Sequence, residues 1–428
     1  MGLDPALGPE ELYAQFEERG RERRAGRRPT HRHGPERPHG RTPVILASRA
    51  GRVLALAAAA LAAATVIGLV ALWPNAGTPA THGASQALGG PTQGAQVVSA
   101  ALVRCPGPTP QQCRQLTIRP DHGHAAKLTL GPASATPAVE PGAAIRVRQN
   151  PAGTPGERYS FVDRDRRGSL LWLGLALALA AVVVLWWRGA LALVGIGLSI
   201  LVIAKFIVPS ILEGSAALPV AVVGSLAVMW ITLILTNGLG AQTLAAALGI
   251  GSTLLLTAGL AELSVKFAHL NGYTGDLSLA LSQQQHGLNL QGVVLAGMVI
   301  GALGVLADTA VTQASAVMAL RKANPALSAR RLFSGAFGVG RDHLSATIHT
   351  LVLAYAGGAL PLLLVLRSSG VGLDDSLNTQ DVAEPIVAGV IGCLGLVTAV
   401  PLTTLLASVL IARVPAELVP AEHHGHAH

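Results

Sequence analysis

Residues 292–320 read GVVLAGMVIGALGVLADTAVTQASAVMAL, residues 321–350 read RKANPALSARRLFSGAFGVGRDHLSATIHT, and residues 351–366 read LVLAYAGGALPLLLVL. Two apolar runs flank a basic, hydroxyl-rich segment. Both runs, taken as 291–320 and 343–366, exceed the roughly 18 residues that separate a spanning helix from a buried core helix. The first nevertheless carries Asp308, Thr312 and Gln313, and the second is entered through Asp342, His343 and His349. A polar group in lipid has no water to fall back on, so an ionisable residue within a span faces protein or a water-filled path. Function is first sought in this stretch, and its pattern sets the fold class: a mainly α membrane protein.

The rest of the chain agrees. Only 13% of its 428 residues are charged, against roughly 25% in an average soluble protein. Further apolar runs lie near 53–73, 169–187, 190–212, 216–236, 241–267 and 384–412. The expectation is an eight-helix transmembrane bundle with a small extracytoplasmic β-domain. Residues 1–52 form a basic cytoplasmic tail without apolar periodicity, expected to be disordered. Residues 53–73 are the first span, residues 74–168 the β-domain, residues 169–412 a seven-helix domain, and residues 413–428 a His-containing cytoplasmic tail. The first span starts too late and runs too long for a signal peptide, which favours an uncleaved anchor.

The net charge of +8 is concentrated between Arg19 and Arg52, beside that first span. Basic residues so placed hold their end of a helix in the cytoplasm and meet anionic headgroups. A nucleic-acid arm would want aromatic stacking partners or a folded basic face, and neither is visible. With an even number of spans both termini share the cytoplasmic side. Arg188, Arg321, Lys322, Arg330, Arg331, Arg341 and Arg413 then fall inside, whereas the outer loop 367–383 holds Asp374, Asp375 and Asp381 against Arg367. Arg164, Arg166 and Arg167 run against the rule, but long translocated domains escape it.

Between the first two spans, short β-like runs such as AQVVSAALVR, RQLTIRP and AIRVRQN alternate with Gly- and Pro-rich linkers. A small barrel or sandwich of about five strands fits them. Cys105 and Cys113 lie in this segment, where an oxidising compartment would let them form a disulfide. Their CPGPTPQQC spacing is not a metal motif. The His-rich HRHGPERPHG and HHGHAH lack any second shell to orient a ligand set, so no metal or cofactor is expected.

Within the spans, Gly297, Gly301 and Gly304 recur at helical spacing and allow close approach of another helix. Asp308, Thr312 and Ser315 make a polar stripe beyond them. A lone intramembrane acid is either a structural hydrogen-bond node or a proton- or cation-binding group. Asp342 and His343 lie near the cytoplasmic interface. His349 is deeper, and its imidazole is expected to meet Asp308 and titrate with it. Lys205 either snorkels out of the third span or pairs with a neighbouring acid. Glu262 and Lys266 are spaced to neutralise each other. No nucleophile elbow, Walker loop, dinucleotide fingerprint or HExxH motif is present, so no enzymatic chemistry is expected.

The strings GALGVLADTAVTQASAV, RKANP and GRDHLSATIHTLVLAYAGGALPLLL resemble the YibE/F-like family of bacterial multi-pass membrane proteins, over roughly residues 50 to 412. That family usually has two adjacent acids, GVLDD, where this chain has Ala307 before Asp308, and Asn where this chain has His349. The departures argue against any mechanism requiring a paired carboxylate. The resemblance implies a permease of the bacterial cell membrane with undefined substrate, and fixes topology better than activity. The implied partners are the lipid bilayer and a small solute or ion, with no nucleic acid; a homo-oligomer or another membrane partner is compatible with it. The alternative is a non-transporting scaffold or sensor that presents the β-domain.

Overall fold

A computed structural model describes residues 49–74, 92–105, 111–150, 158–274 and 288–413. Of the tail expected to be disordered, residues 1–52, positions 1–48 lie outside those residues, as do both His-rich segments, whereas 49–52 are not disordered but form the start of the first apolar helix. Among the described residues, eight helices are long and apolar enough to cross a membrane. They are α1 (Arg49–Ala71), α2 (Arg167–Leu185), α3 (Trp187–Leu212), α4 (Ala217–Asn237), α5 (Ala241–Phe267), α6 (Leu290–Ala323), α7 (Ala329–Ser368) and α8 (Gln380–Ile411).

The core of the bundle is α4, α5, α6 and α8, and small residues dominate it: Ala221, Ala246, Ala302, Ala310 and Ala407 are all buried. Lipid tails are as apolar as leucine, so helices in a membrane gain by packing closely rather than by escaping water. The contact of α5 with α8 shows this directly. A β-carbon at Gly395 would fall 2.7 Å from Thr257 Oγ1, and one at Gly249 would collide with Thr403. Around this core α1 rests on α4 and α5, with Val223 against Gly68 and Leu61 against Gly251. α2 buries none of its residues.

Pro209 lacks the N–H that would bond the carbonyl of Lys205, and the chain answers with a π-helical turn at Ile203–Ile207. Past it, the Ser210 hydroxyl donates to the Leu72 carbonyl at 2.9 Å, tying the end of α3 to the end of α1. This end of the bundle, where the chain leaves for the β-domain, also holds the start of α4, the end of α5 and the start of α6 around one cavity. At the opposite end the Arg321 guanidinium donates to the carbonyls of Pro325, Leu327 and Ala412. One side chain thus fixes the α6–α7 turn against the end of α8.

The segment 329–342 differs from the expected loop: it is the first part of α7. Its charges hide an amphipathic pattern in which Leu332, Ala336 and Gly340, one per turn, are its buried residues. Asp342 and His343 therefore sit inside a long helix rather than at its entry.

The β-domain is a five-stranded antiparallel sheet, β1 (Thr92–Arg104), β2 (Gln112–Pro120), β3 (Ala126–Pro132), β4 (Ala144–Gln149) and β5 (Tyr159–Arg164), in the order β3-β2-β1-β4-β5. A register shift between Val97 and Ser99 bends β1, which pairs with β4 from Thr92 to Gln96 and with β2 from Ala95 to Arg104. The curl brings β3 towards β5 and encloses Val97, Leu116, Ile118, Leu128, Ile145 and Val147. Cys105 and Cys113 form a disulfide at the end of the β1–β2 hairpin, with Cα atoms 4.9 Å apart. After β5, the Arg166 guanidinium and the Arg164 N–H both donate to Asp163, which holds that carboxyl below the usual carboxylate range.

Candidate functional site

The helix α6 begins at an Asn289 cap, whose Oδ1 accepts from the Gly292 N–H at 3.1 Å, and ends on Arg321 and Lys322, which complement the helix dipole. Between these ends its apolar face is buried in the core. Val293, Gly297, Gly301, Gly304 and Asp308 form an exposed line along it, one residue per turn.

Three contacts place α7 beside that line. The Tyr355 hydroxyl lies over Gly301, His343 faces Asp308, and Gly340 lies against Gln313. Numbers rise along α6 as they fall along α7, so the two helices run antiparallel. α7 nevertheless leans on α8, with Leu351 against Gly392 and the Tyr355 ring against Gly389. A β-carbon at Gly297 or Gly304 would meet nothing within 4 Å. The result is a groove between α6 and α7, floored by glycine and crossed by Tyr355.

Asp308 is near the middle of α6, about 27 Å from its start and about 22 Å from its end at 1.5 Å per residue. Its Oδ2 is 3.9 Å from His343 Nε2. That separation is an ion-pair distance and too long for a direct hydrogen bond. The Asp308 side chain is 68% exposed and that of His343 37% exposed, so the pair borders the open groove rather than the packed core. His349 does not meet Asp308: it is exposed, and its Nδ1 lies 2.6 Å from the Ser345 carbonyl. Six residues separate the two histidines, about 9 Å along the helix and about two-thirds of a turn around it, so one α6 neighbour cannot serve both.

The other candidates scatter. Gln313 is fully buried; its Oε1 accepts from the Thr404 hydroxyl at 2.8 Å, and its Nε2 has no hydrogen-bond partner among the described residues. This amide joins α6 to α8 where Gly340 leaves room for it. Thr312 is half-buried one turn beyond Asp308, and Asp342 is exposed on α7. Ser315 accepts from Gln242 of α5 at 2.6 Å. Lys205 is exposed in the π-turn of α3, with no ion pair among the described residues. Glu262 and Lys266 do pair, at 2.7 Å.

At the end nearest the β-domain the groove widens into a cavity of about 560 Å³ whose lining includes Met298, Tyr355, Asp381, Glu384 and Pro385. Tyr355 and Glu384 were not singled out from the sequence. The only signal for either was a lone aromatic ring, or a lone acid, at the edge of an apolar run. Among the described residues no three His, Cys, Asp or Glu side chains are grouped to hold a metal ion.

The model of the YibE/F-like protein family matches residues 173–413, from α2 to the end of α8. The chain belongs to the YibE/F-like family. The match covers more than half the chain, including α6, α7 and the groove between them. No curated protein and no solved structure matches it. Membership and the eight apolar helices together mark a membrane protein, and within this YibE/F-like chain Asp308, His343, Tyr355, Asp381 and Glu384 lie along the groove and its cavity.

Proposed function

We propose that this protein is a permease of the bacterial cell membrane that moves a small solute or ion along the groove between α6 and α7. The supporting observation is the Asp308–His343 pair, which places a carboxylate and an imidazole within 4 Å of each other beside an open groove. An acid at mid-helix is costly unless it serves a path or a partner. A carboxylate and an imidazole that face each other form an acid–base couple, through which one proton can pass as the solute moves.

Both termini are assigned to the cytoplasm. Arg321, Lys322, Arg330, Arg331 and Arg413 cluster at the bundle end opposite the β-domain, as basic residues do on the cytoplasmic face. The β-domain is then extracytoplasmic, and the cavity with Asp381 and Glu384 opens outward. Flux measured in proteoliposomes under an imposed proton gradient tests the reading: gradient-dependent uptake supports it, and no uptake across a broad panel of solutes and ions overturns it. A second reading, a scaffold or sensor, draws on the β-domain having a hydrophobic core separate from that of the bundle.

A further inference from the structure

We infer that the cavity at the β-domain end of the groove is a binding site for a small organic cation, an alkylammonium with a compact hydrocarbon body. The inference deepens the permease reading, which supplies the role of the site, but binding itself stands without it.

The cavity lies between the starts of α6 and α8 and the middle of α7, and the short segment at Gly272 and Thr274 closes one side. Its volume of about 560 Å³ is in the range of small-molecule sites. Asp381 and Glu384 are three residues apart on α8 and so share one face of the helix. They are the only charged groups among the described lining residues. Glu384 Oε2 is buried and has no hydrogen-bond partner among the described residues. A buried carboxylate oxygen without a donor is unfavourable, so the occupant should carry an N–H or a positive charge.

The remaining walls restrict what that occupant can be. Tyr355 lines the inner side, with its hydroxyl near Gly301 and its ring against Gly389, so an aromatic side chain stands beside a positive charge held there. Val293, Met298 and Pro385 give an apolar surface that a hydrated inorganic ion would not use. A hard divalent ion takes about six to eight oxygen ligands, and no group of three ligating side chains exists here among the described residues. An anion would meet two carboxylates and no described base. A neutral solute, even one with an N–H for the Glu384 oxygen, would leave the paired acids Asp381 and Glu384 without a countercharge. The neighbouring cavity beside Glu262, of about 330 Å³, has Lys266 in its own wall and carries no net demand for a cation.

The test is calorimetric titration of the full chain in lipid nanodiscs with n-butylammonium, with sodium, calcium and butyrate as competing probes. Saturable binding of n-butylammonium is expected, weakened about tenfold or more by Glu384→Gln and about threefold or more by Tyr355→Leu, and unchanged by Glu262→Gln. Asp381→Asn provides a second charge-removing variant should Glu384→Gln melt at a lower temperature than the parent. No saturable n-butylammonium binding, equal binding of butyrate, or calcium binding that both exceeds it and disappears in Glu384→Gln would each overturn the inference. Flux without n-butylammonium binding would remove this site and leave the permease, whereas binding without flux of any solute would do the reverse.

Discussion

His343 of α7, and not His349, lies opposite Asp308 of α6, with 3.9 Å between Nε2 and Oδ2. His349 turns back onto its own helix at the Ser345 carbonyl. The two histidines are therefore expected to separate in function. Asp308→Asn and His343→Asn should each lower proton-gradient-driven flux by about tenfold or more, as befits loss of a charged partner, while expression stays normal. His349→Asn should remain close to the parent. A pH–flux profile unchanged in both Asp308→Asn and His343→Asn would remove the pair from the mechanism.

Gly340 is where α7 touches the buried amide of α6. A β-carbon there would fall 2.6 Å from Gln313 Nε2, and Gln313 is held from the other side by Thr404. Overpacking of this kind costs about 1–3 kcal/mol. Gly340→Ala should lower the thermal midpoint in detergent, and adding Gln313→Ala should recover much of the loss by making room. Additive losses in the double variant would show that the two residues are not in contact.

The disulfide and the orientation can be checked together. Cys105–Cys113 closes a short hairpin loop, for which chain entropy gives about 2.5 kcal/mol of stabilisation to the β-domain. Peptide mapping without reductant should recover one bridged pair. With both cysteines changed to serine, the domain should become sensitive to protease at a lower temperature. In intact cells, single cysteines at Ser134 and Asp374 should react with an impermeant thiol reagent, and one at Ser334 should not. Labelling of Ser334 from outside would invert the assigned topology.

The eight helices were legible because an uninterrupted apolar run is a strong signal, and the YibE/F-like resemblance rests on strings in α6, α7 and the turn between them. The beginning of α7 was not legible. Arg330, Arg331 and Arg341 lower its hydropathy, and what makes it a helix is a narrow contact through Leu332, Ala336 and Gly340. Depth along a span can be read from hydropathy, and that pointed to His349. Which face of α7 turns towards α6 depends on how α7 leans on α8 through Leu351 and Tyr355, which no local pattern encodes. Glu384 was missed for a similar reason: an acid at the edge of a span is ordinary until the neighbouring helices leave its Oε2 without a hydrogen-bond partner among the described residues.

The β-domain and the bundle have separate hydrophobic cores: Val97, Leu116, Ile118 and Ile145 belong to one, and Ala246, Leu306, Ala310 and Leu396 lie within the bundle. A permease and a scaffold therefore respond differently to removal of the domain. If solute passes between α6 and α7, replacing residues 78–164 with a short flexible linker should leave flux measurable, because no described lining residue of the groove or its cavity comes from the β-domain. The Arg321 contacts to Leu327 and Ala412 that hold the far end of the groove should also persist. If the protein instead presents the β-domain to a partner, the same deletion should abolish partner capture, and the intact chain should show no flux in proteoliposomes. Loss of flux on deletion, with an unchanged thermal midpoint for the remaining bundle, would show that the β-domain is part of the transport path and would contradict a pathway built from the spans alone.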